Sequence, residues 1–236
     1  MKSWGEDLWE AKVNAHGDAG VIFGTGHRLS SVHRQTRTEM ERVDRLLLKR
    51  IPAGSSILDA GVGPMARFSI ELARRGYLPI GLDISTTTLQ RAKAATARAG
   101  IAVDFVHGDL VALDLGRTVD GIFCMETIFH VPAHLALEVF QGFHRHLRAG
   151  GFALIKFAIL ERQTVYFSLC QALYLAAFAI LRPVLRFVGR ESFRTTVVRY
   201  STDELMDIFE RTGFELVERD GDMFLLAARR KVVSTK

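Results

Sequence analysis

From Ser56 onwards the chain alternates short apolar runs with stretches of helical period, and that alternation limits its fold more than any other feature. SILDA (56–60), LPIGLD (78–83), VDFVHGD (103–109), VDGIFCM (119–125) and GFALIKF (151–157) read as strands. ARFSIELARR (66–75), TTTLQRAKAATARA (86–99) and AHLALEVFQGFHRHLR (133–148) read as helices, the last stopped by Gly150-Gly151. Strands separated by helices require a parallel sheet covered on both faces. The end of the chain breaks the rule. A helix over 202–213 leads to strands 214–220 and 223–230, joined only by Gly221-Asp222, and a two-residue link of that kind makes a hairpin. The expected fold is α/β: a seven-stranded, mostly parallel sheet with a C-terminal antiparallel hairpin and helices on both faces.

Ahead of the sheet, residues 36–51 space Met40, Val43, Leu47 and Ile51 on one helical face, stopped by Pro52 and Gly54. The first 35 residues are less regular, and Trp4, Leu8, Trp9, Val21, Ile22 and Phe23 are candidates for a cap over a site. The expected division is a cap segment, 1–35, and a domain, 36–236, carrying a helical lid inserted after the fifth strand at 158–200. At 236 residues and 48% hydrophobic content the chain can bury one sizeable core. Cys124 and Cys170 lie among apolar neighbours, with no spacing that suggests a disulfide framework or a metal cluster, so no metal is expected. Glu6, Asp7 and Glu10 fall where a signal peptide needs an apolar run, which makes a cytoplasmic location the expectation. A net charge of +5 is compatible with nucleic acid, anionic lipid or a phosphate-bearing substrate, and its placement has to decide among them.

The first strand runs into Gly61-Val62-Gly63-Pro64-Met65-Ala66, which satisfies the dinucleotide pattern G-x-G-x-x-G/A, with the acidic Asp83 closing the next strand. A nicotinamide oxidoreductase is therefore one reading. Three features favour another cofactor. Asp59 stands two residues before Gly61, where a carboxylate repels a pyrophosphate and suits a cationic amino acid. Asp109 comes after the third strand, where an adenine amino group can donate to it. The C-terminal hairpin is foreign to the doubly wound dehydrogenase sheet.

At these residues the sequence resembles the class I S-adenosylmethionine-dependent methyltransferases, over about residues 36–230. LDAGVG is similar to their first motif, GLDIS carries the acidic residue for the ribose hydroxyls, HGDL the adenine contact, and HLRAGGFALI the turn and strand after the catalytic edge. Met65 stands where the common motif has a third glycine. The resemblance implies S-adenosyl-L-methionine as cofactor, held by Asp59, Ala60, Gly61, Gly63, Asp83, Ile84, Asp109, Leu110 and Met125. The alternative at Asp83 and Asp109 is a plain cap on the next segment of chain.

The fourth strand ends in CMETIFHVP (124–132), which places Glu126 and His130 at the same rim as an expected carboxylate and imidazole one helical turn apart. That pairing resembles phosphoethanolamine methyltransferases and implies His130 as base and Glu126 as a holder of the substrate group. A structural histidine is the alternative for His130; His134, His144 and His146 read as solvated surface. IFGTGHRLSS (22–31) is similar to a lid of the same group, which implies His27 and Arg28 near a substrate phosphate.

Residues 165–181, VYFSLCQALYLAAFAIL, carry no charge and sit at the short limit of about 17 residues for a membrane span. One crossing would strand 214–230 on the wrong side of the membrane from the sheet they complete. That leaves two readings: a substrate lid with Thr164, Ser168 and Gln171 as a polar stripe, or a contact with the membrane interface. Between Lys156 and Arg199 the net charge is +5, that of the whole chain. These basic residues flank an apolar run without a recognition module, which argues against nucleic acid. The expected activity is methyl transfer to a small apolar or amphiphilic acceptor: a lipid, isoprenoid or phospho-base. A polar metabolite or natural product is the alternative acceptor.

Overall fold

The computed structural model describes residues 5–15, 29–160 and 197–229. His27, Arg28, Cys170, Gln171 and the apolar stretch 165–181 lie outside the described residues, as does most of the expected lid. The elements are α1 (Glu6–Ala15), α2 (Leu29–Leu46), β1 (Ser56–Ala60), α3 (Arg67–Arg74), β2 (Leu78–Asp83), α4 (Thr86–Arg98), β3 (Asp104–His107) and β4 (Val119–Cys124). They continue with α5 (Ala136–His146), β5 (Leu147–Lys156), α6 (Thr202–Thr212), β6 (Phe214–Asp220) and β7 (Met223–Ala228).

The seven strands form one sheet in the order β3-β2-β1-β4-β5-β7-β6. β1 to β5 are parallel, while β7 runs antiparallel to both β5 and β6. The two-residue turn is realised at Gly221-Asp222, with Asp220 paired to Met223 across it and Gly221 at φ 62. Successive side chains of a strand point to opposite faces, and the central strands of this sheet are buried on both faces. Leu58, Ile122, Ala153, Ile155, Phe224 and Leu226 join the core on one face. Their neighbours Ile57, Phe123, Leu154 and Leu225 pack on the other, under Met40, Val43 and Leu47. This double burial is why the central strands read as continuous apolar runs.

Several boundaries differ from the sequence reading. α2 begins at Leu29, not at 36, so one helix runs through the expected cap boundary. It stops at Leu46, and a short 3-10 turn, Leu48–Arg50, carries the chain on to Ile51. α1 is a helix within the segment read as irregular. β5 starts at Leu147, which pairs with Val119, and the strand shifts register before Gly151; the Gly-Gly pair is an irregularity inside the strand and not the end of α5. α6 carries a reciprocal cap: Ser201 Oγ accepts from Glu204 N, and Glu204 accepts from Ser201 N.

After β5 the chain runs beside its own return path. Leu160 N donates to Tyr200 O (3.0 Å), Tyr200 N donates to Ala158 O (3.0 Å), and Ile159 bridges Tyr200. Residues 161–196 therefore leave and rejoin the described fold at one neck.

Candidate active site

β1 has neighbours on both sides, β2 and β4, whose connections lead in opposite directions. Such a switch point opens a crevice at the C-terminal strand ends, where open α/β sheets bind ligands. The residues there come from the loops after β1, β2, β3 and β4.

The loop after β1 crosses to β2, with Gly61 N and Val62 N both donating to Leu82 O (2.8 and 2.9 Å). Gly61 has φ 86, and a Cβ there would stand 2.2 Å from Thr127 Oγ1, so no other residue fits without moving the β4 loop. Gly63 has φ 66 with open space where a Cβ would point. The third left-handed residue of the loop is Ala66 (φ 44), not Met65, where the sequence comparison places the departure. Thr127 Oγ1 can donate its one proton either to Met125 O (3.1 Å) or to Gly61 O (3.5 Å), and the second bond ties this loop to the end of β4. The sequence reading did not single out Thr127, and only its position opposite Gly61 reveals the role.

Asp59 is 2% exposed and accepts from Ser69 Oγ at 2.6 Å. Asp83 accepts from Gly63 N (3.2 Å) with one oxygen and from Ser85 N (3.0 Å) with the other. Burial pushes Asp59 up to about 6, against the lowering effect of Ser69 and Arg67. Burial likewise raises Asp83 to about 6, against the N–H groups of Ser85 and Gly63. Asp109 accepts from Val111 N at 2.9 Å, and Leu110 beside it is buried. Both Asp83 and Asp109 thus cap the segment immediately after them, as the plainer reading of each has it. An ionised carboxylate offers about four acceptor positions, so both retain capacity for a ligand's hydroxyl or amino groups.

These residues fit S-adenosylmethionine better than a dinucleotide. The buried Asp59 and the half-buried Asp83 beside the glycine loop disfavour a pyrophosphate and favour a cation, and the open space over Gly63 permits close backbone approach. Gly61 and Gly63 would admit the methionyl part, Asp83 the ribose hydroxyls, and Asp109 with Leu110 the adenine. Ala60 and Met125 are buried at the ends of β1 and β4, and Ile84 lies half-buried directly after Asp83.

α1 lies across this rim. Glu10 accepts from Thr86 Oγ1 (2.9 Å) and Thr87 N (3.1 Å) at the start of α4. Burial opposes the charge of Glu10, but these hydrogen bonds outweigh it and bring its pKa to about 2. Trp9 meets the His130 ring edge-on at 5.1 Å, and Phe129 flanks the same imidazole at 4.7 Å. Lys12 is buried with its ammonium 4.4 Å from the Trp9 ring centre. Val198 N donates to Phe129 O (2.7 Å), which ties the neck of residues 161–196 to the same loop.

Glu126 and His130 do not share a helical face. Glu126 has a left-handed backbone (φ 59) and the adjoining Ile128–His130 is a 3-10 turn, so the two side chains take different neighbours. Glu126 enters a ring of charge. Arg67 donates to Glu39 (3.1 Å) and Glu126 (2.9 Å), and Lys156 donates to Glu39 (2.6 Å) and Glu126 (2.9 Å). Gln35 Nε2 bridges the same two carboxylates, at 3.2 and 3.1 Å. Burial opposes the Lys156 charge, yet the two facing carboxylates outweigh it and raise its pKa. Among the other histidines His134 is exposed, but the surface reading fails for two. His144 is half-buried against Phe214 at 5.5 Å, and His146 accepts from Leu115 N. Among the described residues no cluster of His, Cys, Asp and Glu could hold a metal, and no helix is long and apolar enough to cross a membrane. Cys124 is buried, which raises its thiol to about 12 and leaves it inert.

Residues 57–151 match the methyltransferase domain family. The chain is 25% identical over 187 residues to the carboxy-S-adenosyl-L-methionine synthase of Campylobacter jejuni, covering 77% of this chain and 78% of that protein. It is 26% identical over 197 residues to the ubiquinone biosynthesis O-methyltransferase of Cupriavidus pinatubonensis, covering 76% and 74%. The magnesium protoporphyrin IX methyltransferase from Synechocystis PCC 6803, solved with bound S-adenosylhomocysteine, shares the fold. Its TM-score is 0.63 at 19% identity, covering 91% of this chain and 94% of that one. With a glycine loop and strand-end carboxylates suited to the cofactor, residues 57–151 are the methyltransferase domain of an S-adenosylmethionine-dependent enzyme.

Proposed function

We propose that the acceptor is a small apolar or amphiphilic molecule, approached from the neck where residues 161–196 join the fold. The observation that carries this reading is the hydrogen bond from Val198 to Phe129, which brings the point where the chain returns from the uncharged 165–181 stretch to the loop that carries His130. Leu160 and Val197, the described residues at the two ends of the insertion, are both exposed and apolar.

When bound, S-adenosylmethionine supplies an activated methyl group on a sulfonium centre. The chain's part is alignment and exclusion of water. Asp83 holds the ribose, Asp109 and Leu110 the adenine, and the Gly61–Gly63 backbone the methionyl end near Asp59. His130, oriented between Trp9 and Phe129, takes the proton released by an acceptor hydroxyl or amine. Glu126, charge-paired in its ring, holds the acceptor group instead of removing its proton. His27, Arg28 and Gln171 are proposed to contact the acceptor, the first two at an anionic head group. The basic residues around 165–190 make a peripheral membrane contact on the cytoplasmic side part of this reading.

The test is transfer of label from methyl-labelled S-adenosylmethionine into an extract of the producing cell, with subsequent partition between organic solvent and water. Label in the organic phase supports the proposal. Label in water replaces it with a polar metabolite. Label recovered in a new adenosyl compound distinct from S-adenosylmethionine places the chemistry on the cofactor itself, as the name of the Campylobacter synthase has it for that protein.

A further inference from the structure

The ring of Arg67, Glu39, Glu126 and Lys156 joins four parts of the fold: the start of α3 behind the glycine loop, α2, the loop after β4, and the end of β5. Its two cations and two carboxylates balance. Burying four charges costs desolvation that an apolar cluster of the same volume avoids, so fold stability alone is a poor reason for the ring. Its members are unequal. The side chains of Arg67, Glu39 and Lys156 are 9%, 7% and 14% exposed, whereas Glu126 is 21% exposed.

Glu126 Oε1 accepts from Gln35 and Lys156, and Oε2 accepts from Arg67. With about four acceptor positions on a carboxylate, one on Oε2 meets no donor among the described residues. The residue also holds φ 59, a strained backbone for a side chain of this size, which persists only where the surroundings impose it.

We propose that Glu39 and Lys156 are positioning residues, which with Arg67 fix the Glu126 carboxylate so that its remaining lone pair meets a hydrogen-bond donor on the acceptor molecule. Resting on the methyltransferase reading, this names the acceptor class: the group held at the rim is an O–H or N–H. A carboxylate or phosphate there would face like charge. Lys156 acts through Glu126, and Glu39 acts by balancing the two cations; without it Arg67 and Lys156 would face a single carboxylate.

The experiment compares the wild type, Lys156→Gln and the charge-balanced double variant Lys156→Gln/Glu39→Gln. Three readouts are taken: methyl-label transfer into the extract fraction that the wild type labels, over a dilution series; S-adenosylhomocysteine affinity by calorimetry; and the amide resonances of residues 125–130. In Lys156→Gln the half-saturating extract concentration should rise about tenfold, with S-adenosylhomocysteine affinity held within about twofold. The double variant should recover most of that loss, which a purely structural role would not produce. Equal loss of cofactor affinity, unchanged transfer, or a double variant no better than the single one overturns the proposal. If the wild type labels nothing, the methyltransferase reading fails by itself and the amides still decide the positioning claim. Their displacement in Lys156→Gln and return in the double variant supports it, and unmoved resonances overturn it.

Discussion

Asp59 and Asp83 are carboxylates whose pKa the fold has raised to about 6, chiefly by burial. An unfolded aspartate titrates near 3.9, so between about pH 4 and 6 the folded chain binds more protons than the unfolded one. Their contribution to the stability of the cofactor-free protein is therefore complete below about pH 4 and lost as pH rises through about 6. Cofactor binding should respond in the opposite sense, because a ligand cation and ribose hydroxyls interact best with ionised carboxylates. S-adenosylhomocysteine should bind about tenfold more tightly at about pH 7.5 than at about pH 5, measured by calorimetry. In Asp83→Asn that rise should shrink, and an affinity indifferent to pH in the wild type would remove both carboxylates from the cofactor. His130 makes a separate case. His130→Gln keeps a polar side chain against Trp9 and Phe129 but removes the titrating group, so turnover should fall about a hundredfold with S-adenosylhomocysteine affinity unchanged. A small change in turnover would return His130 to a structural role.

At the scale of elements, legibility in the sequence tracked apolar patterning. β1, β2 and β6 occupy the ranges read from the sequence because apolar runs or alternations end there against turn residues. α2 was only half legible: the apolar spacing of Met40, Val43 and Leu47 marks its second half, whereas residues 29–35, LSSVHRQ, are mostly polar. The glycine loop and the acids of β1, β2 and β3 were legible because their spacing along the chain is local. The partnership of Glu39, Arg67, Glu126 and Lys156 was not, because it depends on which strand ends the topology makes neighbours. α1 was missed for a related reason: it buries a lysine, and its polar anchor, Glu10, reaches Thr86 and Thr87 across most of a hundred residues of sequence. That anchor makes α1 testable as a unit. Glu10→Ala takes the acceptor from the N-terminus of α4 and should release α1 from the rim. Acrylamide should then quench Trp9 more readily, in a Trp4→Phe background that leaves Trp9 as the reporter, with the global unfolding midpoint changed by a few degrees at most. Quenching equal to that of the Trp4→Phe parent would mean that Trp9 and the apolar contacts hold α1 without Glu10.

For the whole molecule, the neck at Leu160 and Val197 divides the described fold from residues 161–196, which are proposed to select the acceptor. The two sides of the neck are hydrogen-bonded to each other, and Tyr200, Phe157 and Ile159 belong to the core that α5 and α6 cover. β5, α6, β6 and β7 are likewise held by strand pairing and by a capping box, all within the described residues. The proposed cofactor residues all lie at the C-terminal ends of β1 and β2 or in the loops after β1 to β4, before the neck is reached. Excising 161–196 should therefore spare both the sheet and the cofactor site, provided the ends are rejoined by a flexible linker. Since Ile159 and Tyr200 run parallel, that linker has to double back over about three to four residues at about 3.3 Å each, which six to eight glycines and serines span at about 5–6 Å per square root of residue number. The expected protein unfolds cooperatively, binds S-adenosylhomocysteine within about threefold of the parent, and transfers little label to the organic phase. Tyr200 sharpens the expectation. Its buried hydroxyl has no hydrogen-bond partner among the described residues, and burial raises its pKa to about 12, so Tyr200→Phe in the excised protein should be neutral or stabilising. An excised chain that fails to fold would make 161–196 part of the core and end its assignment as an acceptor-selecting insertion. One that folds and still labels the organic phase would move acceptor choice to the rim of Glu126 and His130.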